Sequence, residues 1–543
     1  MTAPEDMAPL DPAAGLGRRL YSSAAIVGSA FVLSRLLGLA REVIVAAQFG
    51  TSGDYDAYVA AFRIPDFLFL IVMSGAFGSA FMPVFIGYLS RGQRRTAWRL
   101  ASNILTLMVE GFVVLAVLAF IFADPLMRFV VVPGLFQPGV PPEVGRTAVE
   151  LTRILLLSPL FLGLGAAAKG ILEAHNNFTL PAFAPVTYNA AVVLGALFLA
   201  PRYGVRGLAW GVVVGAVGHV LTQLPGLVRA GMRFKVMPKP RAEGLGTVGR
   251  LLTPRIIGQA AFQINIIVIT NFASRLGESH VSALNYAYQL MMLPHGVFAI
   301  AVSTVIFPLM ARQYANREFA ALKSTLGDAL RPLLFLTLPA SAALMILARP
   351  IVQTLFQLRS FSAESTTLVS EALPYFAAGL FALAIVETTT RAYYAMHDTR
   401  TPLVASALTI AVNIVAAFYL APRLGIKGLA GSISVTSGME MLILLAIMRR
   451  RIGPFDPAVW RSFLKSVAAT AVMAAVLLFI RPRLTAVTNP VGGKSLGQVA
   501  VFLFAVVIGA YTYVVAAWYL KSEELREIGG RVGGRLARLA GRR

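Results

Sequence analysis

Residues 34–83 read SRLLGLAREVIVAAQFGTSGDYDAYVAAFRIPDFLFLIVMSGAFGSAFMP. Arg35, Arg41 and Glu42 lie inside one long apolar run, and Asp56 opens the next. A charged side chain at the centre of a membrane span costs roughly 2.5–3.5 kcal/mol, so it normally faces water or other protein groups. This stretch therefore predicts two membrane-spanning helices whose charges face a polar interior.

The composition of the whole chain agrees with that prediction. Its 543 residues are 57% hydrophobic and 13% charged, and the mean hydropathy is +0.73. Soluble domains carry about 25% charged residues. We expect an all-α polytopic membrane protein with about fourteen transmembrane helices, since runs of roughly 17–25 apolar residues span a bilayer. The runs lie at about 22–48, 57–89, 98–123, 148–172, 180–200, 207–230, 247–274, 281–311, 327–348, 366–396, 402–421, 427–448, 462–480 and 497–520.

The net charge of +23 comes from basic residues that cluster in alternate loops, which indicates membrane topology rather than a nucleic-acid partner. By the positive-inside rule both termini lie in the cytoplasm. The basic tail at 521–543 has two interpretations: it lies on anionic lipid headgroups, or it serves as a topology signal alone.

An internal repeat divides the chain. FLAPRYGVRGLAWG at 198–211 returns as YLAPRLGIKGLAGS at 419–432, so that Pro201 matches Pro422, and Pro181 matches Pro402 at the same offset. An even number of spans separates the copies, which predicts two parallel six-helix lobes around a central cavity, as in an alternating-access transporter. The expected divisions are an N-terminal cytoplasmic tail (1–21), an N-lobe (22–231), a cytoplasmic linker (232–252), a C-lobe (253–450), two extra helices (451–520) and the basic tail (521–543). The extra helices either pack on the outside or form a groove for a lipid tail.

The candidate binding residues lie on the first helix. Arg35 and Arg41 are six residues apart, about 600° of helical rotation, so they lie within roughly 120° of each other. Gly38 between them has no side chain to block a ligand, and guanidinium groups match phosphate or carboxylate oxygens in pairs. We expect a cationic wall for an anionic substrate. The alternative is a structural ion pair of these arginines with Glu42 or Asp56.

Other polar positions carry similar alternatives. Asp56 lines the cavity or caps the second helix. Arg63 and Asp66 flank Pro65, which predicts a kink. The second half has a polar stripe through Asn265 and a Glu387/Arg391 pair one helical turn apart. Each of these two features either lines the cavity or joins helices by hydrogen bonds. 

No residue pattern points to catalysis. The chain has no cysteine, no GxxxxGK[ST] loop and no HExxH motif, so we expect no catalytic residue, no metal and no cofactor. Transport must then be driven by an ion gradient, Na⁺ or H⁺, by the membrane potential or by the gradient of the substrate.

The segments SRLLGLAREVIVAAQFG, DAYVAAFRIPDFL and SGAFGSAFMPVF resemble the signature of the MurJ (MviN) family of lipid II flippases in the multidrug/oligosaccharidyl-lipid/polysaccharide (MOP) exporter superfamily. The resemblance runs from about Ala24 to Tyr519 and includes QINIIV at 263–268 and YAYQLMMLPHGVFAIAVSTVIFPLMA at 286–311. It implies a transporter, not an enzyme, in the bacterial cytoplasmic (inner) membrane. Its substrate would be lipid II, the undecaprenyl-pyrophosphate-linked peptidoglycan precursor, moved to the outer leaflet with its lipid tail in the groove of the last two helices.

The resemblance also implies roles for particular residues. Arg35 and Arg41 correspond to family residues that hold the pyrophosphate, and Asp56 matches an acidic position of the second helix. From the residues themselves we expect Ser34, Gly38 and Arg63 to contact the substrate as well, with Arg255, Asn265 and Gln289 as further cavity residues. The chain departs from the family at Phe69 and Gln289, where relatives often carry arginine. It also has amides, such as Asn265 and Asn413, where a sodium site in relatives needs a carboxylate.

Two other functions are compatible with the sequence. One is an exporter of another polyprenyl-linked glycan, or a cation-coupled drug exporter, with the same fold. The other is a membrane scaffold that binds lipid II or cell-wall synthesis proteins without transporting anything. A drug exporter favours carboxylates in its pocket, and the arginines of the first helix argue against it.

Overall fold

The computed structural model describes residues 12–74, 81–232, 234–235, 245–487 and 496–526, and all regular structure in these residues is helical. Within them, the side chains of residues 12–26, 72–74, 83, 245–259, 483–487 and 496–498 lie outside the description. Helices are expected because backbone groups in hydrocarbon must find their hydrogen bonds within the same segment. The prediction of an all-α membrane protein is confirmed.

The first half of the chain contains eleven α-helices in its described residues. They are α1 (Pro12–Phe49), α2 (Gly53–Ala61), α3 (Arg63–Leu68), α4 (Met82–Ser90), α5 (Arg94–Ile121), α6 (Ala123–Pro125), α7 (Pro142–Leu155), α8 (Ser158–Ala174), α9 (Thr179–Leu194), α10 (Ala200–Tyr203) and α11 (Val205–Arg229). Single π-helical turns at Phe69–Ser74, Leu126–Val131 and Gly195–Leu199 and a 3₁₀ turn at Pro133–Phe136 lie between them.

The second half contains eleven more in the residues described. They are α12 (Leu245–Arg275), α13 (His280–His295), α14 (Ala301–Ala315), α15 (Phe319–Ile346), α16 (Ala348–Phe356), α17 (Ala363–Ala378), α18 (Leu380–Ala395), α19 (Arg400–Leu424), α20 (Ile426–Ile452), α21 (Pro457–Val487) and α22 (Leu496–Tyr519). A π-helical turn at Gly296–Ile300 joins α13 to α14.

Ten helical segments of the described residues are long and apolar enough to cross a membrane. The pair α17 and α18, bent by 46° at Gly379, makes an eleventh span. The three remaining predicted spans, at 22–48, 57–89 and 247–274, coincide with α1, with the broken stretch from α2 to α4, and with α12, and each contains side chains outside the description.

Two helix boundaries differ from the predicted divisions of the chain. Residues 12–21, expected in the N-terminal tail, already belong to α1, and α12 begins at Leu245 within the expected linker. Residues 1–11, 233, 236–244 and 527–543 of the predicted tails and linker lie outside the described residues.

Breaks in the spans follow from local chemistry. The helix is interrupted at Phe62, three residues before Pro65, because a proline lacks the backbone donor and crowds the preceding turn. In the second half Pro294 immediately precedes His295 and the π-turn at Gly296–Ile300. Such π-turns are often found at functional sites.

The internal repeat is confirmed by matching backbone geometry 221 residues apart. Asn176 and His397 both have φ of 58°, and Gly204 and Gly425 have φ of 57° and 58°. Each of these glycines has an extended ψ and separates two helices at the same point of its repeat. A residue with a β-carbon is strained at such positive φ, so glycine occupies the sharp turn in both copies.

By internal contacts the chain forms two compact units. The first consists of residues 1–45, 61–126 and 146–260, and the second of residues 46–60, 127–145 and 261–543. Two short segments of the first half, 46–60 and 127–145, therefore pack within the second unit. One example of this packing is the hydrogen bond from the Gly134 amide to Ser274 Oγ at 3.1 Å.

The last two spans pack on the second half of the chain. Helix α21 lies against α15 and α22. Tyr513 on α22 donates a hydrogen bond of 2.7 Å to the Phe335 carbonyl. Beyond α22, Glu523 and Glu524 bind the guanidinium of Arg331, with Arg331 Nε 2.9 Å from Glu524 Oε1.

Candidate functional site

Arg35 lies on α1 with its side chain exposed. Its guanidinium stacks over the ring of Phe31, with 5.3 Å from Cζ to the ring centroid. In the part of the chain that the structure describes, no carboxylate lies within ion-pairing distance of Arg35. A guanidinium inside a span normally has an anionic partner or a polar cavity, so Arg35 is a candidate for binding an anion.

Arg41 lies on the same helix, and its guanidinium contacts the side chains of Glu42 and Asn189. Its Nη2 is 2.6 Å from Glu42 Oε1, and its Nη1 donates to Asn189 Oδ1 at 3.2 Å. The Arg41 side chain is 25% exposed and that of Glu42 is 14% exposed. The pair with Glu42 is the structural alternative that the sequence allowed, but a quarter of the Arg41 side chain remains accessible.

Helix α9 supplies the other half of this cluster. The Asn189 amide donates to the carbonyl and the hydroxyl of Ser34, at 3.4 and 3.3 Å. The neighbouring Tyr188 interacts electrostatically with Arg41, Glu42 and also Asp66 on α3. Three helices of the first unit therefore contribute to one polar group, which we call the Arg41 cluster: Ser34, Arg41, Glu42, Asp66, Tyr188 and Asn189.

The charges of the Arg41 cluster are balanced. Asp66 also interacts with Arg63, so that Arg41 and Arg63 stand against Glu42 and Asp66. The sequence predicted more positive than negative charge around the first helix, and that excess positive charge is therefore carried by Arg35. Among the described residues, no heavy atom beyond the helix itself lies within 4 Å of a β-carbon placed on Gly38, so these residues leave that face of α1 open.

Asp56 has a different position from the one expected for a substrate-binding residue. Its side chain is completely buried. Its Oδ2 accepts a hydrogen bond from the Ser279 amide and its Oδ1 from the Ser282 amide, both at 2.7 Å. The carboxylate thus satisfies amides at the start of α13, which α13 cannot satisfy internally. In this conformation Asp56 caps a helix of the second half; it neither caps its own helix nor faces a ligand.

Further contacts join the same first-half segment to the second half. The Gly53 amide donates to Glu278 Oε1 at 2.9 Å, and the Thr51 and Ser365 hydroxyls lie 2.8 Å apart. The Ser360 amide donates to the Ala47 carbonyl at 3.0 Å. We call these contacts, together with those of Asp56, the clasp; it comprises Ala47, Thr51, Gly53, Asp56, Glu278, Ser279, Ser282, Ser360 and Ser365.

The remaining predicted cavity residues lie on α12 and α13. Arg255 is in α12 at a position whose side chain is outside the described residues. Gln289 is half-buried on α13. Asn265 Oδ1 accepts a hydrogen bond of 2.7 Å from Asn413 Nδ2. That contact joins α12 to α19, as the helix–helix alternative predicted.

Sequence reasoning missed the partners of the predicted residues. Asn189 and Tyr188, which complete the Arg41 cluster, follow Pro185 in an otherwise apolar run, and that polar pair inside a span was a usable signal. Ser279 and Ser282 donate their backbone amides to Asp56, and a backbone contact leaves no mark in the side-chain pattern of the sequence. The described residues bring no three His, Asp or Glu side chains together for a metal ion.

Comparisons with known proteins are consistent with this architecture. A family profile described as "Lipid II flippase MurJ" matches residues 45–489. The lipid II flippase MurJ of Burkholderia cenocepacia is 32% identical over 466 residues, which cover 84% of this chain and 89% of that protein.

Two solved structures show the same fold. A lipid II flippase MurJ in an inward closed conformation superimposes with a TM-score of 0.74 at 26% identity, covering 91% of this chain and 98% of that one. An inward-facing multidrug resistance MATE transporter of the MOP superfamily gives a TM-score of 0.65 at 18% identity, covering 81% and 99%. At 18% identity, the similarity to the MATE transporter shows a shared fold and no shared function.

Proposed function

Because this chain belongs to the MurJ family of lipid II flippases, we propose that it carries lipid II from the inner to the outer leaflet of the bacterial cytoplasmic membrane by alternating access. The chain is a transporter rather than an enzyme, and no bond is made or broken. The translocated headgroup carries a pyrophosphate, which hydrocarbon alone would exclude.

The observation that carries this proposal is the exposed guanidinium of Arg35 on a spanning helix, with Arg41 partly open on the same helix. Arginine binds phosphate oxygens through paired, charge-assisted hydrogen bonds. The open face at Gly38 lets a headgroup approach the backbone between the two arginines. Arg35 binds the pyrophosphate first, because Arg41 must loosen its contacts with Glu42 and Asn189 to contribute.

The clasp supports the alternating-access part of the proposal. The residues of the clasp lie between predicted spans, in or beside loops that carry few basic residues. The loops at the other ends of these spans are basic and therefore cytoplasmic. We accordingly place the clasp on the periplasmic side and both termini in the cytoplasm. With the clasp closed, the transporter takes up substrate from the cytoplasmic side. Opening the clasp releases the substrate into the outer leaflet. An ion gradient or the membrane potential drives the cycle.

The test measures transport and growth with charge-reversed variants. Arg35→Glu and Arg41→Glu are expected to lose complementation of a flippase-depleted bacterial strain and to lower flipping of fluorescent lipid II in liposomes by at least about tenfold, since one charge-assisted contact contributes 1.5–3 kcal/mol. Arg423→Glu is the matched control, because Arg423 is an exposed arginine near the end of α19 whose guanidinium, among the described residues, donates to the Tyr419 carbonyl of its own helix.

Two outcomes would contradict the proposal in different ways. Full growth of both α1 variants at normal expression would remove the site assignment and leave the family function intact. The wild-type chain could instead fail to flip lipid II in liposomes with an imposed membrane potential and yet move another polyprenyl-linked glycan. That result would show that the substrate is the other glycan and not lipid II.

A further inference from the structure

A single acidic residue lies in the middle of α20, within the second unit. Glu440 is the only charged residue of α20 between Lys427 near its start and Arg449 near its end. The neighbouring helix α19 has no charged residue between Arg400 and Arg423. Both helices are long and apolar enough to cross a membrane. An ionisable residue at such a depth normally has a functional role.

The carboxyl group of Glu440 joins α20 to α19 through two hydroxyl groups. The Ser406 hydroxyl donates a hydrogen bond to Glu440 Oε1, and Thr409 Oγ1 lies 3.3 Å from Glu440 Oε2. Thr409 is 3% exposed, and Glu440 is half-buried. In the part of the chain that the structure describes, no cation lies within ion-pairing distance of Glu440. A carboxylate with neutral partners alone is costly inside a span, whereas a protonated carboxyl group is not.

The count of hydrogen-bond donors leads to the protonated form as well. A threonine hydroxyl has one proton to donate. Thr409 Oγ1 lies 3.1 Å from the carbonyl oxygens of both Ala405 and Ser406, so its proton is directed to the backbone of its own helix. Glu440 Oε2 must then supply the proton of its contact with Thr409, and only a protonated carboxyl group can do so.

Other titratable groups on the helices packed against α20 do not contact Glu440. On α18, Arg391 Nη2 lies 2.8 Å from Glu387 Oε1, and the Tyr393 hydroxyl donates to the Leu444 carbonyl at 2.8 Å. The remaining titratable residues of α13, α15, α17 and α18 are His280, Tyr286, Tyr288, His295, Lys323, Asp328, Arg331, Glu364, Glu371, Tyr375 and Tyr394. Among the described residues, Glu440 has its side-chain hydrogen bonds with hydroxyl groups of α19.

We propose that Glu440 is the residue that binds a proton to drive the transport cycle, with Ser406 and Thr409 holding the protonated carboxyl group. The inference rests on the proposed function and names the driving ion that this function leaves open. Release of the proton to water leaves a carboxylate, which accepts from Ser406 but has no proton for the contact with Thr409. Proton binding is thereby linked to the packing of α19 on α20, and each affects the other.

Infrared spectroscopy tests the protonation state without any transport. Spectra of the full wild-type chain and of Glu440→Gln in liposomes are compared at pH 7. The difference spectrum is expected to contain the C=O band of a protonated carboxyl group, present in the wild type and missing in the variant. A difference spectrum with carboxylate bands alone would show that Glu440 is ionised, and would overturn the proposal.

The transport experiment measures flipping of fluorescent lipid II by the full chain in liposomes. A pH gradient, a sodium gradient and a membrane potential are imposed one at a time. The pH gradient is expected to raise the wild-type rate by about fivefold or more, the usual size of a coupling between two sites. The sodium gradient is expected to have no effect.

Variants of Glu440 separate proton binding from folding. In Glu440→Gln the amide still accepts from Ser406 and donates to Thr409, so the contacts of the protonated acid remain. This variant is expected to unfold at the wild-type temperature and to flip lipid II at one rate with and without the pH gradient. Glu440→Asp retains a carboxyl group and should keep part of the response.

Two further residues provide controls. Glu371→Gln is the matched control, because Glu371 is bound to Lys427 on the same helix α20 at 3.3 Å and needs no proton. Its response to the pH gradient should equal that of the wild type. His219→Gln tests the other repeat, since His219 on α11 precedes Glu440 by the same offset that relates Gly204 to Gly425. This variant should also respond to the pH gradient.

A full response to the pH gradient in Glu440→Gln overturns the assignment, and so does a response that is lost in His219→Gln alone. A wild-type chain that responds to sodium and not to pH overturns the choice of ion, while the proposed function stands. A wild-type chain that flips no lipid II under any gradient overturns the proposed function, and the role of Glu440 in transport with it.

Discussion

Asp398 shows how one residue holds a helix end in place. It precedes α19 and accepts hydrogen bonds from the backbone amides of Arg400 and Thr401, both at 3.0 Å. Its other oxygen accepts from the Thr401 hydroxyl at 2.6 Å and lies 2.5 Å from Arg451 Nη1 on α20. Burial alone would raise the pKa of Asp398, but the hydrogen bonds from Thr401 and the Arg451 guanidinium outweigh burial and hold it below its usual value.

We expect Asp398→Asn to lower the free energy of unfolding by about 0.5–1 kcal/mol at neutral pH, because asparagine can still cap the helix but loses the negative charge that Arg451 binds. Because the pKa of Asp398 is lower in the folded state, its stabilising effect is complete above the unfolded pKa of about 4 and is lost as the pH falls through the folded value. The thermal midpoint in detergent, measured from pH 7 down to pH 3, should therefore show the wild type and the variant converging at the acid end.

The matched control is Asp456→Asn. Asp456 accepts a hydrogen bond from the Ala458 amide at 2.7 Å at the start of α21 and is exposed. Its loss should cost less than the loss of Asp398, since the structure gives it no cationic partner in the described residues. Equal midpoints for wild type and Asp398→Asn at pH 7 would contradict a stabilising role for the charge of Asp398.

At the scale of helices, the repeat places glycines where two helices touch backbone to backbone. A β-carbon at Gly428 on α20 would lie 2.5 Å from the Leu420 carbonyl oxygen, and one at Gly207 on α11 would lie equally close to the Leu199 carbonyl oxygen. Real β-carbons do not approach so closely. The same close approach therefore recurs in both halves of the chain.

Gly428→Ala is expected to destabilise the protein by about 1–3 kcal/mol, the usual cost of overpacking, and to lower its thermal midpoint in detergent. Gly438→Ala on the same helix is the control, since a β-carbon there meets no heavy atom within 4 Å in the part of the chain that the structure describes. That change should be neutral or stabilising by about 0.5–1 kcal/mol because alanine favours the helix. The reverse order of the two midpoints would show that the contact between α19 and α20 is looser than described.

For the molecule as a whole, the proposed transport cycle requires the clasp to open. Thr51 and Ser365 touch through their hydroxyls at 2.8 Å, and the chain contains no cysteine that would interfere with cross-linking. A disulfide formed by Thr51→Cys with Ser365→Cys should stop lipid II flipping in liposomes, and reduction should restore it, because the covalent bond prevents the alternate conformation.

A second cysteine pair tests the specificity of that block. The Thr187 and Thr222 hydroxyls, on α9 and α11, lie 2.9 Å apart within the first unit. Cross-linking Thr187→Cys with Thr222→Cys joins α9 to α11 and leaves the clasp free to open, so flipping should continue. Full transport by the cross-linked Thr51/Ser365 pair would mean that the clasp stays closed throughout the cycle.

The sequence by itself determined the helical membrane architecture, the repeat and the residues of α1 that bear charge. Each depends on patterns along the chain: apolar length sets the spans, the offset from Pro201 to Pro422 sets the repeat, and arginine inside a span marks a polar neighbourhood.

Only the tertiary structure decided which partner each charge has. Asp56 caps α13 through amides more than 220 residues away, and Arg41 meets Asn189 on α9. A buried charge needs a neighbour, but many distant groups meet that need equally well. Which group is close enough depends on how the helices pack, and packing depends on contacts between distant parts of the chain that no local pattern records.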